Sequence, residues 1–382
     1  MIAEKELGMK NRQLLFSAFA AVFLSRLVLL CICLLADTGL STAEELNRWD
    51  NEWYCGIATG GYSLEPMVPN QHPAGDAANW AFFPLFPLLL RVIACLAPAN
   101  FAEASMLVNS LLFTMGLYLT GVYILKGTKN ISHALYFQWI YAFGPYNHYF
   151  SVQYTESLYF LLVIGFFVCM RERRYILMGA MGALCSAARN TGVFLVIAIA
   201  VHYIVGYLEE GEHPSLYGLI AGAFRQPTLI FGVVLIPLGL FLYIAFLHDL
   251  LGDGLAFIHV QRAWGGGMHN PIKTIVNGLL YGAAYEHYCI FFAGLWLISI
   301  LKLFREKAWP EAACCTVYLL IPLAVRLQSI PRYMIGSFLP ALGLLCGYEH
   351  WNRTRKILVF AVASFGGIFF SYHWVTGAGW LC

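Results

Sequence analysis

Charge is what this sequence has least of: only 12% of its 382 residues are Asp, Glu, Lys or Arg. Soluble domains average about 25% charged and about 45–50% apolar residues. Here 60% are hydrophobic and the mean hydropathy is +0.67. A water-soluble fold cannot hide that much apolar surface, so composition alone points to an integral membrane protein. The net charge of +2 is too small to suggest a nucleic-acid partner. Cys-x-x-Cys pairs are missing, so the eleven cysteines do not suggest a zinc or redox site. Cys31, Cys33, Cys169, Cys185, Cys289, Cys314, Cys315 and Cys346 fall inside apolar runs and read as small hydrophobes. Cys55 and Cys95 flank the first loop region, and Cys382 ends the chain. There is no internal repeat and no low-complexity tract, which leaves residues 1–382 as one membrane domain. His72, His148, His248, His259, His269 and His287 share no ligand spacing, so no metal or other cofactor is expected.

Long apolar runs, by contrast, are plentiful. A helix needs about 20 residues to cross the hydrocarbon core. The candidate spans are Gln13–Ala36, Ser105–Leu125, His133–Phe150, Ser157–Met170, Tyr175–Tyr207, Thr228–His248, Tyr288–Phe304, Ala312–Leu327, Tyr333–Tyr348 and Ile357–Trp374. Phe82–Leu96 carries Pro84 and Pro87 and reads as a short re-entrant segment. Tyr175–Tyr207 is too long for one span and reads as two helices broken at Ala188-Arg189-Asn190-Thr191-Gly192. The predicted fold class is therefore all-α and polytopic, a bundle of about 10–12 membrane segments with a helical first loop. No small-residue cleavage site precedes Asp37, so Gln13–Ala36 is expected to be retained. Basic clusters at Lys126/Lys129, Arg171/Arg173/Arg174, Lys302/Arg305/Lys307 and Arg353/Arg355/Lys356 predict the cytoplasmic side. Asp37–Trp80, Pro145–Glu156, Asp249–His287 and Ser329–Arg332 then face the other side, and Glu209–Pro214 is a cytoplasmic connector. The 28 Phe, 22 Tyr and 10 Trp fit interfacial aromatic belts.

The densest polar cluster is Asn47-Arg48-Trp49-Asp50-Asn51-Glu52-Trp53-Tyr54, soon after the first span. A carboxylate held near the membrane surface beside an arginine suits general-base work on a hydroxyl. On local residues alone, an interfacial loop anchored by Trp49, Trp53 and Tyr54 explains the cluster at least as well. Arg189 interrupts an apolar run, where a charge is a functional candidate by default. Equally, it reads as a structural partner of Glu156, whose place at a helix start is itself explained by the macrodipole. Arg332, beside Tyr333 at a helix boundary, is either a phosphate ligand or a snorkelling side chain. Arg262, in Gln261-Arg262-Ala263-Trp264, is either a third phosphate ligand or a solvated loop charge.

Several short elements recur in a fixed order: Arg48-Trp49-Asp50-Asn51-Glu52-Trp53-Tyr54, Gly60-Gly61-Tyr62, Ala81-Phe82-Phe83-Pro84-Leu85-Phe86-Pro87, Tyr154-Thr155-Glu156-Ser157-Leu158, Ala188-Arg189-Asn190-Thr191-Gly192, Ser329-Ile330-Pro331-Arg332-Tyr333 and Phe338-Leu339-Pro340. This set resembles the glycosylphosphatidylinositol mannosyltransferase II family of GT-C membrane glycosyltransferases, from about Arg48 to Pro340. The resemblance implies a polyprenyl- or dolichyl-phosphate-linked sugar donor, usually mannose, and inverting transfer to a hydroxyl on a lipid-linked or glycan acceptor. It implies a catalytic Asp in the first non-cytoplasmic loop, at Asp50, with Glu52 as the nearest alternative carboxylate. Arg48, Tyr154, Glu156, Arg189, Gln261, Arg262, Trp264, Arg332 and Tyr333 are the remaining candidates for the donor phosphate or substrate. The chain is shorter than the eukaryotic members and has Arg-Asn-Thr-Gly where many have Arg-Ser-Asn-Gly. That suggests a prokaryotic relative in a bacterial or archaeal cell membrane (the endoplasmic reticulum membrane in a eukaryote), and the acceptor then need not be a glycosylphosphatidylinositol precursor. The expected cavity, open to lipid and water, has walls including Asp50, Tyr154, Glu156, Gln261 and Arg332. The rival expectation is a secondary transporter with an intramembrane Arg189/Glu156 site.

Overall fold

The computed structural model describes residues 2–66, 68–72, 75–210 and 215–379. Cys382, the 211–214 part of the linker and the side chain of His72 lie outside the described residues. In chain order the helices begin with α1 (Ile2–Ala36), α2 (Thr42–Leu46) and α3 (Asp50–Gly60). An antiparallel hairpin, β1 (Val68–His72) and β2 (Gly75–Ala77), pairs Val68 with Ala77 and His72 with Gly75. Next come α4 (Leu85–Leu96), α5 (Phe101–Thr128), α6 (Ile131–Phe143), α7 (Glu156–Arg171), α8 (Tyr175–Ala188) and α9 (Leu195–Glu210). Then follow α10 (Leu216–Phe224), α11 (Pro227–Leu235), α12 (Leu238–Leu251), α13 (Ala256–His259) and α14 (Pro271–Tyr281). The chain closes with α15 (Ala284–Arg305), α16 (Trp309–Val325), α17 (Ile330–Ile335), α18 (Leu339–Leu344) and α19 (Arg353–Val375).

The protein is an all-α membrane protein. Among the described residues six helical stretches are long and apolar enough to cross a bilayer: 8–36, 98–128, 190–209, 227–251, 284–305 and 353–375. Large apolar side chains on their outer faces, such as Phe16, Phe23 and Leu34 on α1, Phe241 and Leu242 on α12, and Val362 and Phe365 on α19, are exposed. Such faces suit lipid rather than water. At the centre stands α7, buried on nearly every side and packed between α5 and α8. An all-round apolar helix belongs at the core of a bundle. On the far side of α8, Gly179 meets Gly232 of α11 so closely that a Cβ on Gly179 would lie 2.4 Å from the Gly232 carbonyl oxygen. Small residues let these two backbones touch.

Several expected spans prove to be broken, each for a local reason. The 133–150 span ends at Phe143, because Gly144-Pro145 cannot continue a helix. Pro237 separates α11 from α12 within the 228–248 span. The 333–348 span is two six-residue helices, α17 and α18, interrupted around Gly336 and Ser337 and restarted with Pro340 in the first turn of α18. The 175–207 span breaks at Arg189, as its length predicted: Arg189 is extended and a 3₁₀ turn over 190–194 leads into α9. At Gly192 a Cβ would lie 2.3 Å from the Cys185 backbone, so the turn folds flat against α8. Helix α4, with 12 residues, is about 18 Å long and too short to cross a core of about 30 Å.

The first loop corrects the expectation of purely helical structure over 37–80. Its front half is helical: Ser41 and Glu44 form a reciprocal capping box that starts α2, and α3 follows. Its rear half is the hairpin and a 3₁₀ turn, because Pro69, Pro73 and Gly75 interrupt any helix there. Helix α10, outside every expected span, and helix α14, within the 249–287 outer segment, were not expected either. Both expose apolar residues (Leu216, Tyr217 and Phe224; Ile272, Leu280 and Tyr281), as an interfacial helix does.

Candidate functional site

Residue 50 is fixed by its backbone before its side chain does anything. Trp49, just ahead of α3, has φ 53° and ψ −108°, a conformation that a bulky side chain avoids. Such strain costs on the order of 1–3 kcal/mol and persists only where surroundings impose it. The surroundings are identifiable. The Arg48 guanidinium donates to the carbonyls of Glu45 and Val375, both at 2.8 Å. Trp49 packs edge-on against Trp374 at 4.6 Å, and the Trp374 indole donates to the Leu46 carbonyl. The buried Tyr154 hydroxyl donates to the Arg48 carbonyl (2.6 Å) and accepts from the Asp50 amide (3.0 Å), bridging the strained residue. Gln153 likewise donates its amide to the Asn47 side chain. The 47–50 turn is thus stapled to the 153–154 segment and to the end of α19.

The Asp50 carboxylate then enters a buried ion network. Arg332 donates Nη1 to Asp50 Oδ2 and Nε to Glu156 Oε1, each at 2.5 Å. Arg189 donates Nη2 to the same Glu156 oxygen at 2.5 Å and Nε to the Thr155 hydroxyl at 2.8 Å. The Glu156 side chain is fully buried and that of Arg332 only 8% exposed, whereas Asp50 is 31% exposed. The Arg332 guanidinium also lies over the Tyr154 and Tyr149 rings, 4.5 and 5.2 Å from their centroids. Burial by itself would lower the Arg332 pKa, but the Glu156 and Asp50 carboxylates outweigh it and hold the group protonated well above its ordinary range. Asp50 Oδ1 has no hydrogen-bond partner among the described residues.

Beside this network lies a cavity of about 240 Å³. Asp50, Arg189, Gln261, Trp264, Arg332 and Tyr333 line it, as do Tyr54, Phe82, Phe83, Tyr159, Tyr318, Trp296 and Arg326. Burial pushes the Tyr54 hydroxyl up to about 12, so it faces the cavity as a neutral donor or acceptor. Deeper in, the hydroxyl of Tyr159 meets those of Tyr318 (2.7 Å) and Thr191 (3.1 Å).

The candidates from the sequence therefore divide. Asp50, Arg189, Gln261, Trp264, Arg332 and Tyr333 come together at one cavity. Tyr154 and Glu156, expected in its wall, stand behind it instead: Tyr154 holds the 48–50 backbone and Glu156 holds the two arginines. Arg48 points away and anchors the turn. Glu52 and Arg262 are exposed and do not line the cavity. For Glu52 the reason is helical: two positions along α3 from Asp50 is roughly 200° around the axis. Arg189 is a partner of Glu156 and a cavity residue at once, so its two readings do not exclude each other. Arg326 was not anticipated; its only sequence signal is a charge at the end of an apolar run. Among the described residues no three His, Cys, Asp or Glu side chains gather as a metal site. No protein-family model matches the chain, and no curated protein matches it at a significant level.

Proposed function

We propose that the chain is a GT-C-like membrane glycosyltransferase that moves a sugar, mannose by resemblance, from a polyprenyl- or dolichyl-phosphate donor to a hydroxyl of a lipid-linked or glycan acceptor. The observation that carries this reading is the pair Asp50–Arg332: a carboxylate with one oxygen bound to a buried arginine and the other unpaired, on the wall of a cavity within a membrane bundle. The acceptor oxygen forms a bond to the anomeric carbon on the face opposite the phosphate. The bond from that carbon to the phosphate oxygen breaks, and its electron pair leaves with the lipid phosphate. Asp50 Oδ1 takes the acceptor proton as this happens. Arg332 keeps Asp50 Oδ2 engaged, so a single carboxylate oxygen is presented. The cavity's arginines supply positive charge to the departing phosphate, which needs no protonation. Basic clusters at the opposite end of the bundle support a cytoplasmic reading of that end, and with it a cavity on the non-cytoplasmic side.

The decisive experiment is sugar transfer by the purified protein, offered a panel of polyprenyl-phosphate sugars and a lipid extract of the host membrane. Asp50→Asn keeps the shape and removes the proton acceptor, and turnover should fall about 100- to 10,000-fold while the donor still binds. Near-normal turnover by this variant would withdraw the base assignment. A wild-type protein that moves a solute across proteoliposomes and transfers no sugar would instead establish the transporter.

A further inference from the structure

Three arginines line the cavity, and their charge states of pairing differ. Arg189 and Arg332 share the Glu156 carboxylate, and Arg332 has Asp50 as well. Those two cations are therefore matched by two anions, and each guanidinium has two of its three nitrogens engaged. Arg326 is different. It caps α16, where the backbone turns extended, and one Nη donates to the Trp264 carbonyl. Among the described residues it has no carboxylate partner. It is half-buried at the cavity wall, so its remaining N–H groups stay open to a ligand. One unmatched positive charge is left over in the cavity, and it belongs to Arg326.

We infer that Arg326 is the residue that takes the phosphate of the lipid-linked donor, with Arg332 serving to hold Asp50 and Arg189 to hold the Glu156 carboxylate that Arg332 shares. This rests on the transfer reading above. The chemistry recognised is a phosphate ester: a guanidinium offers two parallel N–H groups to two phosphate oxygens. Its hydrogen bond to Trp264 links that recognition to the 260–264 turn, which carries Gln261 and Trp264 into the same cavity.

The test is binding of a polyprenyl monophosphate without sugar, with the matching polyprenol as the uncharged control, to the full chain in nanodiscs of zwitterionic lipid. Wild type should prefer the phosphate. Arg326→Gln should lose about 10- to 100-fold in phosphate affinity, the range of one charged hydrogen-bonded contact, and leave polyprenol binding unchanged. Arg326→Lys keeps the charge and should recover part of the loss, which also separates phosphate binding from a merely structural tie to Trp264. Should the glutamine variant not fold, the lysine variant carries the test: an undiminished phosphate affinity in it, with no dependence on ionic strength, overturns the assignment. Wild type that does not distinguish phosphate from alcohol brings down both the transfer reading and this inference. Wild type that does distinguish them, with Arg326→Gln unchanged, brings down the inference alone. Competition by millimolar inorganic phosphate but not by the lipid would assign Arg326 to a soluble anion and overturn its role toward the donor.

Discussion

Two clusters built from the same residue types occupy opposite ends of the bundle. At the end that carries the basic clusters, Arg171 lies 3.6 Å over the Tyr123 ring, donates to the Tyr123 carbonyl at 3.1 Å and pairs with Glu311 at 3.2 Å. The Tyr123 hydroxyl donates to Glu311 as well. This clasp ties α5, α7 and α16 together, and none of its three residues lines the Asp50 cavity. At the other end, Arg332 lies over Tyr154 and pairs with Glu156 and Asp50, but there one carboxylate reaches a cavity. An arginine–carboxylate–tyrosine cluster is therefore not a functional sign in itself. What distinguishes the Asp50 end is a strained turn that aims the carboxylate and room for a ligand; an oxygen without a partner does not, since Glu311 engages only its Oε1.

The largest effect expected is from Glu156→Gln. It leaves two buried guanidinium groups facing each other with Asp50 as their sole remaining anion. Breaking such a buried pair costs about 3–5 kcal/mol. Thermal unfolding in detergent should show a clear drop, and transfer should be lost with it. Glu311→Gln at the other end should cost less, about 1–2 kcal/mol, since Arg171 is 38% exposed and water replaces part of the lost pairing. Transfer by that variant, measured below its unfolding temperature, should be close to wild type. If Glu311→Gln abolished transfer in a folded protein, the contrast between the two ends would collapse. The smallest effect is from Glu52→Gln and Arg262→Gln, both exposed and outside the cavity. Each should change turnover by less than about twofold, as surface changes away from special features do. A large loss in Glu52→Gln would reopen the choice of base within the first loop.

Membrane character needed no structure, and neither did the break before α9. Hydropathy is a local sum over a window of residues, so a run such as Gln13–Ala36 declares itself. The break at Arg189 is equally local, because a charge and a glycine three residues apart interrupt one apolar run. Helix ends were less legible. Gly144-Pro145 and Pro237 are visible stops, but the apolar residues around them pack into the bundle core either way and give the same hydropathy. The hairpin at 68–77 was missed because a polar stretch has no amphipathic period to read, and its proline and glycine positions exclude a helix without specifying a strand.

The partners of Asp50 belong to tertiary structure alone. Arg332 lies 282 residues away in the chain, and Glu156 is 176 residues from Arg332. Arginines at 189, 262 and 332 were each candidates and Arg326 was not, because a one-dimensional pattern carries no distance between them. Packing decided that two would be neutralised by Glu156 and Asp50, that Arg262 would face outward, and that Arg326 would line the cavity without a carboxylate. The reason is physical: burial in a bilayer is set residue by residue, whereas the pairing of a charge depends on which other charges the fold brings within hydrogen-bonding distance.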